Sequence, residues 1–368
     1  MALACVWFCG CQAQTEMSVT KDSATLDPRD FGAKGDGVTD DTEAFTRLDA
    51  WIASHQGPVH VVIPAGVFMV NPLKTPLHEP TPGKQRRYAL LTLRRDYSRV
   101  TGAGVLKIIS GVDYTATAGG PEWIGNEWHW SAVNIRANFC TVDGLNLDGN
   151  GTAALQGETG KGWNVRWGGV SAFGEWDNQT FHVGNKAINC TVIGGGGHAI
   201  GFQYQKQAII ANNVFQDSTG AGFSHCEDSV LSNNTAIRSH DAPYIANGRC
   251  NNILIANNVS RGTTNGSGID VVGCSNVIIE GNIIEESAAW GLLIGYSAQQ
   301  KIGCERILVQ NNLFVRNGRS VDTPMNGEIC VGRPWSDTPD SARDITVQGN
   351  RVVLVGTHGA DQGSMVSI

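Results

Sequence analysis

The chain has 368 residues, 41% of them hydrophobic and 17% charged, and a formal net charge of −7. That charge argues against a general nucleic-acid binder. Few charges and 46 glycines point to a strand- and turn-rich chain rather than a helical one. The length allows two or three average domains or one elongated domain.

In chain order, the first residues, MALACVWFCGCQAQ, are apolar but too short to cross a bilayer. They look like the hydrophobic part of a secretion signal, without its usual positive start. Phe8-Cys9-Gly10-Cys11 faintly resembles a lipoprotein cleavage site, with Cys11 as the lipidated residue. Residues 1–15 are therefore expected to direct export, giving a secreted protein or a periplasmic or outer-membrane lipoprotein. No later segment qualifies as a transmembrane span. In DFGAKGDGVTDDTEAF, Asp30 to Phe45, Asp40 stands three residues before Glu43, a helix-start pattern. Ala44, Phe45, Leu48, Trp51 and Ile52 follow at helical spacing, and Gly57-Pro58 stops the helix. Capping gives Asp36, Asp40 and Asp41 a sufficient structural job. Val59 to Val70 reads as strand, turn, strand. Lys84, Arg86, Arg87, Arg94, Arg95 and Arg99 are expected to be solvated surface.

The segment DFGAKGDGVTDDTEAF followed by VVIPAGVFMV resembles the N-terminal signature of the pectate-lyase-like superfamily. The resemblance implies an all-β fold, a right-handed single-stranded parallel β-helix with a short N-terminal capping helix. Polysaccharide lyases, glycoside hydrolases, sugar epimerases and phage tailspikes share that fold, so the motif says little about the reaction.

Internal repeats support the same fold. AIIANNVFQD, SVLSNNTAIRS, NILIANNVSRG, NVIIEGNIIEES, RILVQNNLFVRNG and DITVQGNRVVLVG recur, each followed by a second short strand such as GIDVVGC or GLLIGYS. Asn213, Asn234, Asn258, Asn282, Asn312 and Asn350 hold one place in successive repeats. Stacked coils would set their amides about 4.8 Å apart, in a structural ladder. Cys226, Cys250, Cys274 and Cys304 are expected to stack at one turn as buried free thiols; no Cys or His spacing suggests zinc. The β-helix domain is placed at 27–368, with the cap and first coil at 27–70, irregular Trp-rich loops at 111–180 and regular coils at 185–368. The chain ends directly after a strand, an edge that trimerisation would protect.

The resemblance places the site in a groove along the GIDVVG-type strands. Strand alternation turns Ile269 and Val271 inward and Asp270 outward, with Asn247, Ser224, Ser171 and Gln203 also outward. His198, His240 and Asp241 are placed in loops before these strands, His225 and Arg249 at or just after them. Asp270, His240, Asp241, His198, His225, Arg249 and Tyr244 are the catalytic candidates. Each has a plainer reading: a turn contact for His198, a buried ladder for His225, an Asx-type turn for His240 and Asp241, packing for Tyr244 and a surface charge for Arg249. Asn247, Gln203, Trp163, Trp167, Arg166 and Trp128 are the substrate-binding candidates. Aromatic faces stack on sugar rings while amides and charges bind hydroxyls and carboxylates. The alternative for the tryptophans, Trp130 among them, is that they plug the upstream end.

A lyase acting on a uronic-acid polymer needs a cation or equivalent for the carboxylate, a base for the C5 proton and an acid for the leaving oxygen. Arg249, or Ca2+ held by Asp241 and Asp270, would neutralise; the histidines or Tyr244 would move protons. An epimerase uses the same set. A hydrolase needs paired carboxylates, for which Asp217, Glu227, Asp228, Asp241 and Asp270 are at hand. Of the polygalacturonase patterns only Gly197-His198-Ala199 has a counterpart, and Gly168-Gly169 stand where that family's Asp-Asp pair would fall. His240-Asp241-Ala242-Pro243-Tyr244 has the residue types of the Asp-Pro-His and Tyr set of mannuronan epimerases in another order. The expectation is a polysaccharide-acting enzyme, a lyase first, then a hydrolase or epimerase. A noncatalytic or tailspike-like binder, monomeric or trimeric, is the remaining alternative.

Overall fold

The computed structural model describes residues 23–75, 77–80, 85–110, 127–150, 165–174, 179–195, 198–298, 300–319, 327–332, 342–353 and 366–367. The segment at 1–15 lies outside them. Three parallel sheets wind through the chain, of 13, 11 and 11 strands. Each coil contributes a strand to the first sheet, turns at an asparagine into the second, crosses a longer loop into the third, and turns back. One such circuit is Glu227–Ser232, Thr235–Ile237 and Tyr244–Asn247, leading to Asn251–Ala256 on the next coil. The architecture is the expected right-handed parallel β-helix.

Alternation fixes which side chains fill it. Ile253, Ile255, Val277, Ile279, Ile307 and Val309 point inward and are buried, while the residues between them face out. Phe202 and Phe223 pack on adjacent coils with ring centroids 6.3 Å apart and planes tilted by 55°. The asparagine ladder forms as expected. Asn213 donates to Asn234 at 2.9 Å, Asn234 to Asn258 at 2.9 Å and Asn258 to Asn282 at 3.0 Å. Asn282 to Asn312 and Asn312 to Asn350 continue it at 2.9 Å each. Each amide also bonds backbone of neighbouring coils, so these buried polar groups are satisfied. The seven described cysteines are free and buried. The Cys250 sulfur accepts from the Cys226 backbone N–H at 3.3 Å, the stacking expected of this row.

The N-terminal end is closed by the helix Thr42–Ser54, which buries Phe45, Leu48 and Ile52. Phe45 meets Phe68 edge-on at 5.8 Å. The carboxylates of the opening motif hold backbone. Asp36 accepts from Val38 and Thr39, Asp40 from Thr42, and Asp41 from the Lys34 and Gly35 amides. The basic stretch needs a correction. Arg94 is half-buried and grips Asp49 of the helix at 2.9 and 3.0 Å, and Arg95 donates to the His55 carbonyl at 3.1 Å. These two fasten the cap to the strand Gln85–Leu93 rather than face solvent.

Candidate active site on the third sheet

Register defines the outward rows of the third sheet. Asn134, Ser171, Gly201, Gly222, Ile245, Asp270, Leu293 and Cys330 occupy one row, strand by strand. Gln203, Ser224, Asn247 and Val272 form the next. Asp270 therefore faces outward in Ile269–Val272, and Asn247, Gln203 and Ser224 lie one row on. Ser171 also faces outward, but in the Asp270 row rather than that of Gln203. It is nearly buried, with its hydroxyl 2.7 Å from Ser131 and 3.1 Å from Asn134.

Asp270 has the most unusual surroundings. Its Oδ1 is enclosed and has no hydrogen-bond partner. Burial, helped by the negative charge of Asp241, pushes its pKa up to about 7 against an opposing Ser267 hydrogen bond. Asp241 sits in the crossover from the second sheet, its Oδ1 accepting from the Ala242 amide at 2.8 Å. The same oxygen packs on Gly266, where a Cβ would stand 2.3 Å away, so only glycine admits the carboxylate there. Asp241 thus turns toward the coil of Asp270. His240, its neighbour in sequence, has both ring nitrogens buried. Asp217 of the preceding coil is held low chiefly by Arg238.

His198 begins the strand His198–Gln203 rather than lying in the loop before it. Its Cε1 is 3.6 Å from the place of a Cβ on Gly222, and its Cβ 3.5 Å from that of Gly201. The ring therefore lies over two glycines of the Asp270 row. Only Ile245 stands between Gly222 and Asp270, so the two groups are separated by about two strand spacings, ~10 Å. Across the sheet, His225 stacks on Tyr204 at 4.7 Å and meets Ser224 Oγ through Nδ1 at 3.0 Å. Burial holds its pKa down, opposed by Cys250 and aided by exposed Arg249. His225 and Arg249 thus form the far wall, away from Asp270.

Tyr244 does not belong to the site. It is fully buried in the core, and its hydroxyl lies 2.6 Å from the Val259 carbonyl and 3.0 Å from that of Asn234. It begins its strand on the inward side, as Ala246 and Val271 do. Of the carboxylates weighed for a hydrolase, Asp217 pairs with Arg238 at 2.7 Å and Glu227 with Lys206 at 2.8 Å. Asp228 accepts from Asn252 at 2.7 Å. Among these five carboxylates, that leaves Asp241 and Asp270 as the pair in the groove. Trp163 lies outside the described residues. For Trp128, Arg166 and Trp167 the backbone is described: Val165 pairs with Trp128, Arg166 with His129 and Trp167 with Trp130, all in the third sheet. Trp130 itself is buried in the core, which favours plugging over sugar stacking for that residue. The glycines under His198 were missed in the sequence, although GAGFS carries one of them at an outward alternate position.

Comparison with known proteins gives the lineage. The profile of a family described as "Periplasmic copper-binding protein (NosD)" matches residues 134–353. Mannuronan C5-epimerase AlgE2 of Azotobacter vinelandii is 29% identical over 227 residues, 56% of this chain and 21% of that protein. Alginate lyase 7 of the same organism is 28% identical over 209 residues, 53% and 23% of the two chains. The chain thus spans about a fifth of the length of these relatives. The structure of a family 28 exopolygalacturonase from Yersinia enterocolitica superposes with a TM-score of 0.53 at 15% identity, covering 94% of this chain and 78% of that one. That likeness shows the pectate-lyase-like fold. Among the described residues no three His, Cys, Asp or Glu side chains converge as ligands. Burial pushes the Cys140 and Cys190 thiols up to about 12, whereas Cys250, although buried, is held below the ordinary thiol range by hydrogen bonds from Cys226 and Cys274. With more than half of the chain matched, the protein belongs to the NosD family of right-handed parallel β-helix proteins.

Proposed function

We propose that this protein is an exported carbohydrate-active enzyme that cleaves a uronic-acid-containing polysaccharide by β-elimination on the outer face of the third sheet. The observation that supports it most is Asp270, an outward carboxyl that titrates near neutrality beside a second carboxylate. A group poised there can both hold and release a proton at working pH. His198, about 10 Å away along the same row, flanks the space a sugar ring would fill. In the reaction His198 removes the C5 proton, and the electron pair forms the C4–C5 double bond. The bond from C4 to the glycosidic oxygen breaks, and Asp270 protonates the leaving oxygen. Burial, helped by the charge of Asp241, keeps the Asp270 proton on near neutral pH. Asn247 and Gln203 offer amides to the substrate carboxylate and hydroxyls, and Arg249 meets the carboxylate of a neighbouring sugar. Calcium between Asp241 and Asp270 is an arm of the assay rather than a step.

A second reading is C5 epimerisation, favoured by the similarity to mannuronan epimerases. It starts with the same proton removal, but a proton returns to C5 from the opposite face and no bond to oxygen breaks. The test incubates the protein with alginate, polygalacturonate and glycosaminoglycans, with and without calcium. Rising ultraviolet absorbance of a conjugated unsaturated uronate is the expected result. Inverted C5 signals by proton NMR without that absorbance would select epimerisation. New reducing ends without either would mean hydrolysis through Asp241 and Asp270, and binding without turnover a noncatalytic role.

A further inference from the structure

The first sheet carries a feature that the groove does not use. Tyr97 and Phe139 are large exposed hydrophobic side chains, 52% and 40% accessible. They stand on consecutive coils before the strands Arg99–Gly102 and Thr141–Asp143, at equivalent turn positions with φ of 64° and 54°. Their rings are stacked, 5.1 Å apart and 9° from parallel. The same turn on the next coils holds Gly184, Gln207 and Asp228. Gly184 interrupts the ladder, and the Phe139 ring leans over it; a Cβ there would stand 2.5 Å from Phe139 Cδ1. Beyond the ring opens a cleft of about 260 Å³, lined by Phe139, Lys186, Gln207, Ile209, Asp228 and Val230 among others. Its floor is an outward row of the first sheet, because Lys186, Ile209 and Val230 pair strand by strand.

Tyr97 occupies one face of the Phe139 ring, and the cleft lies on the other side. An aromatic wall, an aliphatic floor and a rim bearing an amide, a carboxylate and an ammonium make a mixed surface. A purely apolar partner would leave that rim desolvated and unpaired. A pyranose has the complementary build, with C–H groups on its faces for the ring and floor and hydroxyls at its edge for the rim. We propose that this cleft is a second, noncatalytic carbohydrate site, which holds one sugar of the polysaccharide while another part of the same chain enters the groove of the third sheet. The proposal rests on the polysaccharide reading for its ligand class. Lys186 would favour a carboxylated sugar, the kind the groove is built to process. Two sites on one rigid helix would raise the effective concentration of polymer at the groove.

The test uses the full chain carrying Asp270→Asn to stop turnover, run through gels containing sodium alginate or sodium polygalacturonate, with calorimetric titration of short oligomers alongside. Phe139→Ala and Lys186→Ala, made separately on this background, are each expected to weaken polymer retardation about fivefold or more, with melting temperature unchanged. Retardation equal to the parent in both variants would overturn the proposal, as would a parent that neither polymer retards. If Phe139→Ala lowers the melting temperature, Lys186→Ala and the exposed Gln207→Ala decide in its place. The two readings fail separately. Loss of the Phe139 effect with elimination intact removes only this site, while absence of elimination with Phe139-dependent binding removes only the proposed reaction.

Discussion

The interior rows of this β-helix and the outer face of its third sheet follow opposite rules. Inside, one residue type recurs coil after coil. Asn213, Asn234, Asn258, Asn282, Asn312 and Asn350 bond one another, and Cys226, Cys250, Cys274 and Cys304 fill another corner. Outside, the row through Asp270 changes at every step, from Asn134 and Ser171 through two glycines and Ile245 to Asp270, Leu293 and Cys330. The contrast teaches where to look for chemistry. A ladder residue is constrained by its copies above and below. An outward row carries no such repeat, and a lone carboxyl in it is the candidate that the proposed function takes up.

The contrast can be broken by exchanging the two kinds of residue. Asp270→Ala should lower turnover by about 10² to 10⁴-fold while leaving thermal unfolding at pH 5 near that of the parent, measured by elimination rate and circular dichroism. Asn258→Ala should do the reverse. It removes an amide that accepts from Asn234 and donates to Leu231 and Asn282, and strands buried backbone groups. Its expected cost is about 3 kcal/mol in denaturant unfolding, with specific activity of the folded fraction kept.

A smaller effect sharpens the account through pH. The folded pKa of Asp270 lies above its ordinary value of 3.8, at about 7. The folded state therefore holds more protons than the unfolded state between these limits, and stability falls as pH rises across that window. Asp270→Asn removes the dependence, so the melting temperature of the variant relative to the parent should climb from pH 4 to pH 8 and then level. A constant difference across that range would contradict the assignment. Smallest of all, Tyr244→Phe should lower stability by about 1 kcal/mol, through the lost hydroxyl bond to the carbonyls of Val259 and Asn234. The elimination rate should be unchanged, since the ring is in the core.

Much of the fold was legible because it is periodic. The spaced asparagines located the turns, and alternation in Gly268-Ile269-Asp270-Val271 placed Asp270 on the outer face. The same alternation, carried back from Asn247, turns Tyr244 inward, yet chemical likeness had kept it among the proton carriers. The site was less legible because it depends on which loop residues turn toward which coil. His240 and Asp241 are adjacent and read as one pair; the crossover packs the Asp241 carboxylate on Gly266 of the next coil, the coil of Asp270, while both ring nitrogens of His240 are buried. Arg94 looked like surface in a basic run because its partner, Asp49, is distant in sequence. The Phe139 cleft gave no signal at all, since it depends on a glycine lying next to an aromatic residue only after one turn of the helix.

The most direct measurement is a carbon-detected NMR titration of the Asp270 side-chain carboxyl in the intact protein. The account predicts a midpoint near pH 7, moving down in Asp241→Asn as the neighbouring negative charge is removed. A midpoint near 4, indifferent to Asp241, would show an ordinary surface carboxylate and contradict the proton-carrying role on which the proposed chemistry stands.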